Sequence, residues 1–158
     1  MRNLFYILFV GSLILSACNS NGNVQLVNDK AALPAAFQFD TLGLKVMASF
    51  INKKSGTMST LYANPLALNN AIRGDKDHRA GEVFALVTWS QQADDHWFGA
   101  KIPGDLQCIE LVKTTNGAKG NSISYNRYIG KSIIADKDTL NRQDRIKYIF
   151  DQQPSVMP

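Results

Sequence analysis

Cysteine is nearly absent: the 158 residues hold two, Cys18 and Cys108, and histidine is as scarce, with only His78 and His96. No Cys-x-x-Cys pair and no cluster of histidine and cysteine occurs, so the usual metal-binding spacings are missing. A long apolar run is missing too. The greasiest stretch, Leu4 to Leu15, gives way to Asn19, Ser20 and Asn21, well short of the about 20 residues that cross a hydrocarbon layer. Nor does charge of one sign dominate, since 17 basic against 13 acidic side chains leave a formal charge of +4. The basic residues are scattered, and the one adjacent pair, Lys53-Lys54, reads as a solvated hairpin tip, which argues against a nucleic-acid partner. No nucleophile, base and orienting acid recur at a recognisable spacing, so the sequence gives no support for an enzyme. There is no internal repeat and no low-complexity tract.

What the N-terminus does contain is ordered. Arg2 supplies a positive start, Leu4 to Leu15 an apolar run, and small Ser16 and Ala17 precede Cys18. This arrangement resembles a bacterial lipoprotein signal ending in the lipobox Leu15-Ser16-Ala17-Cys18. The resemblance implies cleavage before Cys18, a thioether-linked diacylglycerol on that residue and a membrane partner reached through lipid alone. Acyl chains contribute about 0.8 kcal/mol per buried methylene, so two or three of them hold a protein that one would release. The expected location is the cell envelope, facing the periplasm or the exterior. Asn19 is not an aspartate, which favours the outer membrane. With Cys18 acylated, Cys108 has no partner in its own chain and reads as a small buried hydrophobe rather than a reactive thiol. The expected organisation is a signal over residues 1–17, a lipid-anchored flexible tether over 18–36 and one domain over 37–158.

Within the domain, Leu44, Val46, Ala48 and Phe50 alternate with Lys45, Met47 and Ser49, the period-two pattern of a half-buried strand. Asn52 to Gly56 turns the chain into a second strand, Thr57 to Tyr62. Asn64-Pro65 then opens a helix with apolar Leu66, Ala67, Ala71 and Ile72, and Gly74 ends it. Val83 to Trp89 is apolar almost throughout, as a central strand covered on both faces would be. His96 to Ile102, Leu106 to Lys113 and Ser122 to Ile129 read as further strands, with the Gly117 to Gly120 loop between the last two. Asp138 to Gln152 closes the chain as a helix capped by Asp138, with Leu140, Ile146, Ile149 and Phe150 as its packing stripe. The fold class expected is α+β, mainly antiparallel sheet with two flanking helices.

An ordered set of segments carries a second resemblance. Thr57-Met58-Ser59-Thr60-Leu61-Tyr62-Ala63-Asn64, with Ala67 and Ala71, is followed by Ala80-Gly81-Glu82-Val83-Phe84-Ala85-Leu86-Val87-Thr88-Trp89. Trp97-Phe98-Gly99-Ala100-Lys101-Ile102-Pro103-Gly104 comes next, then Ile109-Glu110-Leu111-Val112 and Tyr125-Asn126-Arg127-Tyr128-Ile129-Gly130. In that order, over residues 40 to 130, they resemble the cytochrome P-460 family. The resemblance implies an antiparallel sheet with flanking helices and a homodimer. It also implies c-type haem, held by the two cysteines and the histidine of a CxxCH near the C-terminus. This chain has Ile149-Phe150-Asp151-Gln152-Gln153-Pro154 there. A thioether needs a cysteine, so covalent haem is excluded. The family's lysine crosslink to haem has no clear counterpart either.

Haem could then bind only noncovalently, and the candidate axial ligand is His96. The plainer reading of His96 is a turn-edge residue bonded to Asp94 or Asp95, and His78 reads as a solvent-exposed loop residue. Trp89, Trp97, Tyr125 and Tyr128 are candidate walls of a retained pocket, or else ordinary core. From the sequence, the leading expectation is a lipid-anchored binding or structural module with this architecture and no covalent haem. The alternative is a redox or nitric-oxide-binding protein with noncovalent haem on His96. A third reading is a partner within an envelope complex, dimerising through a sheet edge.

Overall fold

The computed structural model describes residues 27–37, 39–118, 120–131, 134–135 and 141–155. Its strands follow one another across a single sheet in chain order: β1 Lys45–Asn52, β2 Thr57–Ala63, β3 Val83–Ala93, β4 Lys101–Gly117, β5 Gly120–Ile129 and a two-residue β6, Ile134–Ala135. Every neighbouring pair is antiparallel. Helix α1, Pro65–Arg73, lies between β2 and β3, and helix α2, Arg142–Phe150, follows the sheet. The chain is therefore α+β, a meandering sheet with two helices. No helix among the described residues is long and apolar enough to cross a membrane.

Local chemistry explains the tight corners. Asn52 Oδ1 accepts the N–H groups of Lys54 and Ser55 at 3.0 and 3.1 Å, and Gly56 takes φ 63°, a left-handed conformation that is strained for most residues with a Cβ. Asn64 Oδ1 accepts the Ala67 N–H at 3.0 Å, Pro65 needs no donor at the first helical position, and Gly74 at φ 71° closes α1.

Two layers of side chains cover the sheet. On one face Leu61, Phe84, Leu86 and Val112 pack against Ile146 and Ile149 of α2 and Ala67 of α1. On the other, Val87, Trp89, Leu106 and Ile109 form a second core. Successive β3 residues feed alternate layers, which is why its apolar run is almost unbroken. Fully burying a residue of this kind contributes about 1.5–3 kcal/mol.

Several expectations are corrected. A bulge between Val46 and Ala48 breaks the alternation of β1, so Met47 is buried and Val46 is 60% exposed, because one extra residue reverses the facing of its neighbours. The carbonyl freed there accepts the Ser155 N–H at 2.8 Å. Residues 96–102 are not a separate strand. The chain turns between Ala93 and Lys101, and β4 then runs unbroken past Pro103-Gly104. Register shifts opposite Trp89 accommodate Pro103 beside Gln91. A Cβ on Gly104 would sit 2.7 Å from Ser90 Oγ and 3.3 Å from the Ser90 carbonyl oxygen, so the close approach of the two strands requires glycine here. On α1, Ala67 and Asn70 are buried while Ile72 is exposed. Helix α2 starts at Arg142, behind Asn141 in a left-handed conformation with no side-chain cap bond; the expected cap, Asp138, and the expected packing residue Leu140 lie outside the described residues.

The largest correction concerns the tether. Ala31, Leu33, Phe37 and Phe39 pack on the second core, and the Trp89 indole N–H donates to the Ala31 carbonyl at 2.9 Å. Asn28 Nδ2 donates to the Pro103 carbonyl at 2.7 Å, and Lys131 Nζ to the Asp29 carbonyl at 2.6 Å. Residues 28–36, read as flexible from their composition, are docked on the sheet because it leaves an apolar surface for them to cover.

Candidate functional site

Helix α2 buries Ile146 and Ile149 in the first core, and its neighbouring side chains Arg145 and Tyr148 overhang the sheet. Beneath them lies a cavity of about 400 Å³. Strand register builds its floor. The row Leu61, Leu86, Glu110 and Arg127 runs straight across β2 to β5, and the next row outward is Ser59, Thr88 and Cys108. Between those rows the face changes from apolar to polar, so α2 finds nothing greasy to seat on and a gap remains. Ser59 and Thr88 hydroxyls bridge at 3.0 Å.

Glu110 is the centre of the site. Its carboxylate is buried, yet both oxygens are engaged: Oε1 accepts from Tyr125 Oη at 2.6 Å and Arg145 Nε at 2.8 Å, and Oε2 accepts from Arg145 Nη2 at 2.5 Å. Two-pronged guanidinium contact is the geometry that repays desolvation of a carboxylate. Burial first, and then its bond to Glu110, push the Tyr125 phenol above its ordinary value; the Arg145 pKa is raised mainly by the same carboxylate. Arg145 also stacks over the Tyr148 ring at 4.9 Å. Cys108 is buried beside this group, and burial first, with the Glu110 charge second, raises its thiol pKa against the lowering effect of Arg127 and Thr88. Reading it as a buried, unreactive thiol fits this position.

Of the aromatic candidates, only Tyr125 lines this cavity. Trp89 and Tyr128 belong to the second core, on the opposite side of the sheet. Trp97 is 73% exposed at the tip of the β3–β4 turn. His96 sits on the same turn, its N–H donating to Asp94 Oδ1 at 2.8 Å and its ring exposed; it is the turn-edge residue of the plainer reading. Cys18 lies outside the described residues.

His96, the candidate haem ligand, stands away from this cavity, which is lined by Cys108, Tyr125 and Tyr148 among the described residues. Burial raises the pKa of Cys108 and of Tyr125, which disfavours the thiolate and phenolate forms.

His78 is a second correction. It is not solvent-exposed: its Nδ1 lies 2.7 Å from Oε2 of fully buried Glu82, and its ring stacks on Phe150 of α2 at 3.6 Å with planes 22° apart. Glu82 Oε1 accepts the Arg79 N–H at 3.0 Å, and the Thr114 hydroxyl donates to the Arg79 carbonyl. Glu82, Glu110 and Arg145 were missed as site residues in the sequence. The available signal was a carboxylate inside an apolar strand, Ile109-Glu110-Leu111-Val112, since a glutamate is rarely buried without a partner.

No protein-family model matches the chain, and no curated protein matches it.

Proposed function

We propose that this chain is a lipid-anchored envelope protein with a cytochrome P-460-like domain lacking covalent haem, and that it binds a small anionic ligand between the sheet and α2. The anchor rests on the lipobox ending at Cys18. The ordered segments from Thr57 to Gly130 support the family reading. The binding reading is carried by one observation: two guanidinium groups, Arg127 and Arg145, line a cavity of about 400 Å³ between the sheet and α2. Guanidinium N–H groups are the donors that carboxylate and phosphate oxygens accept from most strongly. Ser59 and Thr88 add hydroxyls that can donate to the same oxygens.

The test is a thermal-shift series on the full chain in detergent with acetate, oxalate, citrate and inorganic phosphate. A bound ligand at about a hundred times its Kd stabilises the fold by about 2.7 kcal/mol. The expected result is a saturable rise in Tm with at least one of these anions, lost in Arg127→Gln. No rise with any anion, or a rise that Arg127→Gln leaves intact, defeats the binding reading. A stoichiometric Soret band on haem addition, abolished by His96→Ala, would favour instead the noncovalent-haem alternative with His96 as axial ligand.

A further inference from the structure

The β3–β4 turn carries the most exposed aromatic pair among the described residues, Trp97 at 73% and Phe98 fully exposed. The turn is tied at its base. Asp94 N–H donates to the Ala100 carbonyl at 3.1 Å, Ala100 N–H to the Trp97 carbonyl at 3.0 Å, and Asp94 Oδ1 accepts the His96 N–H. Gly99 at φ 80° completes the reversal. A tied turn presents two large aromatic side chains without having to order them at the moment of contact.

The position of this turn matters as much as its composition. Asn28, Asp29 and Lys30 line one shallow surface depression together with Gln92, Ala93 and Asp95, and Asn28 is bonded to Pro103 just beyond the turn. Asn28 therefore sits beside the root of the Trp97-Phe98 turn. Cys18 precedes Asn28 by ten residues, at most about 35 Å of extended chain. A lipid on Cys18 holds this end of the domain within that distance of the bilayer.

We infer that Trp97 and Phe98 dip into the lipid surface and fix how the anchored domain stands on it. The inference rests on the lipid-anchor reading above. Tryptophan and phenylalanine suit this role because the indole favours the headgroup level and the phenyl ring the acyl boundary just below. Lys30 in the depression, Lys101 at the end of the turn and Lys131 on Asp29 are matched in number by Asp29, Asp94 and Asp95. The contact is therefore apolar rather than electrostatic, and it does not require anionic lipid.

The experiment uses the full chain purified from membranes and reconstituted in phosphatidylcholine vesicles with ordinary or brominated acyl chains. The chain has two tryptophans, and Trp89 is buried, so the emission lost in Trp97→Phe isolates Trp97. The expected result is that brominated chains quench most of the Trp97 emission, that Phe98→Ser weakens this quenching, and that added phosphatidylglycerol changes neither. The mass of the N-terminal peptide reports acylation in the same samples. An acylated chain whose Trp97 emission is the same in both vesicles overturns the inference and leaves the anchor standing. A bare Cys18 with Trp97 still quenched overturns the anchor and keeps the lipid contact. A bare Cys18 without quenching overturns both.

Discussion

Arg145 on α2 grips Glu110 on β4 by both carboxylate oxygens, at 2.8 and 2.5 Å. This contact ties the last helix to the middle of the sheet, above the cavity. Removing the guanidinium takes two charge-assisted bonds from a buried carboxylate and leaves it the Tyr125 hydroxyl. A broken buried pair costs about 3–5 kcal/mol, and because the Arg145 side chain is 40% exposed we expect about 2–3 kcal/mol for Arg145→Met. The double variant Glu110→Gln, Arg145→Met removes the stranded charge and should cost less. Urea unfolding measures both, and a double variant no more stable than the single one would show that the stranded carboxylate is not the source of the loss.

His78 holds two things together, the Glu82 carboxylate and the Phe150 ring. His78→Ala removes both contacts and His78→Phe keeps only the stack. Leaving a buried acceptor without its donor costs about 1–3 kcal/mol, so both variants should be destabilised, His78→Ala more. Amide exchange across α2 should rise in His78→Ala well beyond its rise in His78→Phe. Equal protection of α2 in the two variants would mean that the stack contributes nothing.

Cys108 should remain a thiol in mildly alkaline solution. Its pKa in the fold is raised from an ordinary 9.0, so the folded chain keeps a proton that the unfolded chain releases. Its contribution is fully present below pH 9 and is lost as pH rises through the folded value. Tyr125, raised from 10.0, acts in the same sense at higher pH. Stability should therefore decline from about pH 9 upward, and Ellman's reagent at pH 8 should label Cys108 at least about tenfold more slowly in the folded chain than in urea. Similar labelling rates in the two states would refute this.

Residues 28–37 should behave as part of the domain. A chain lacking residues 1–26 is expected to unfold where the full chain does. One lacking residues 1–37 loses the Leu33 and Phe37 contacts and the Ala31 acceptor of Trp89. Each apolar side chain contributes about 1.5–3 kcal/mol when fully buried and less when half-buried, as here. The shorter chain should show a lower Tm and a red-shifted Trp89 emission, and an unchanged spectrum would return this segment to the status of a tether.

By itself the sequence determined what is decided between near neighbours. Asn64-Pro65 and Gly74 bound α1, the Asn52 to Gly56 segment reverses the chain, and the apolar run from Val83 marks the central strand, because caps, turns and alternation act over a few residues. Tertiary structure alone decided the rest. The bulge that buries Met47 depends on β2, the unbroken course of β4 past Pro103 depends on β3, and residues 28–37 lie down only because the sheet offers them an apolar face. The cavity is of the same kind. Glu110, Tyr125, Arg127 and Arg145 are separated by up to 35 positions, and their chemistry arises from strand register and from the seat of α2, quantities to which no local pattern is sensitive.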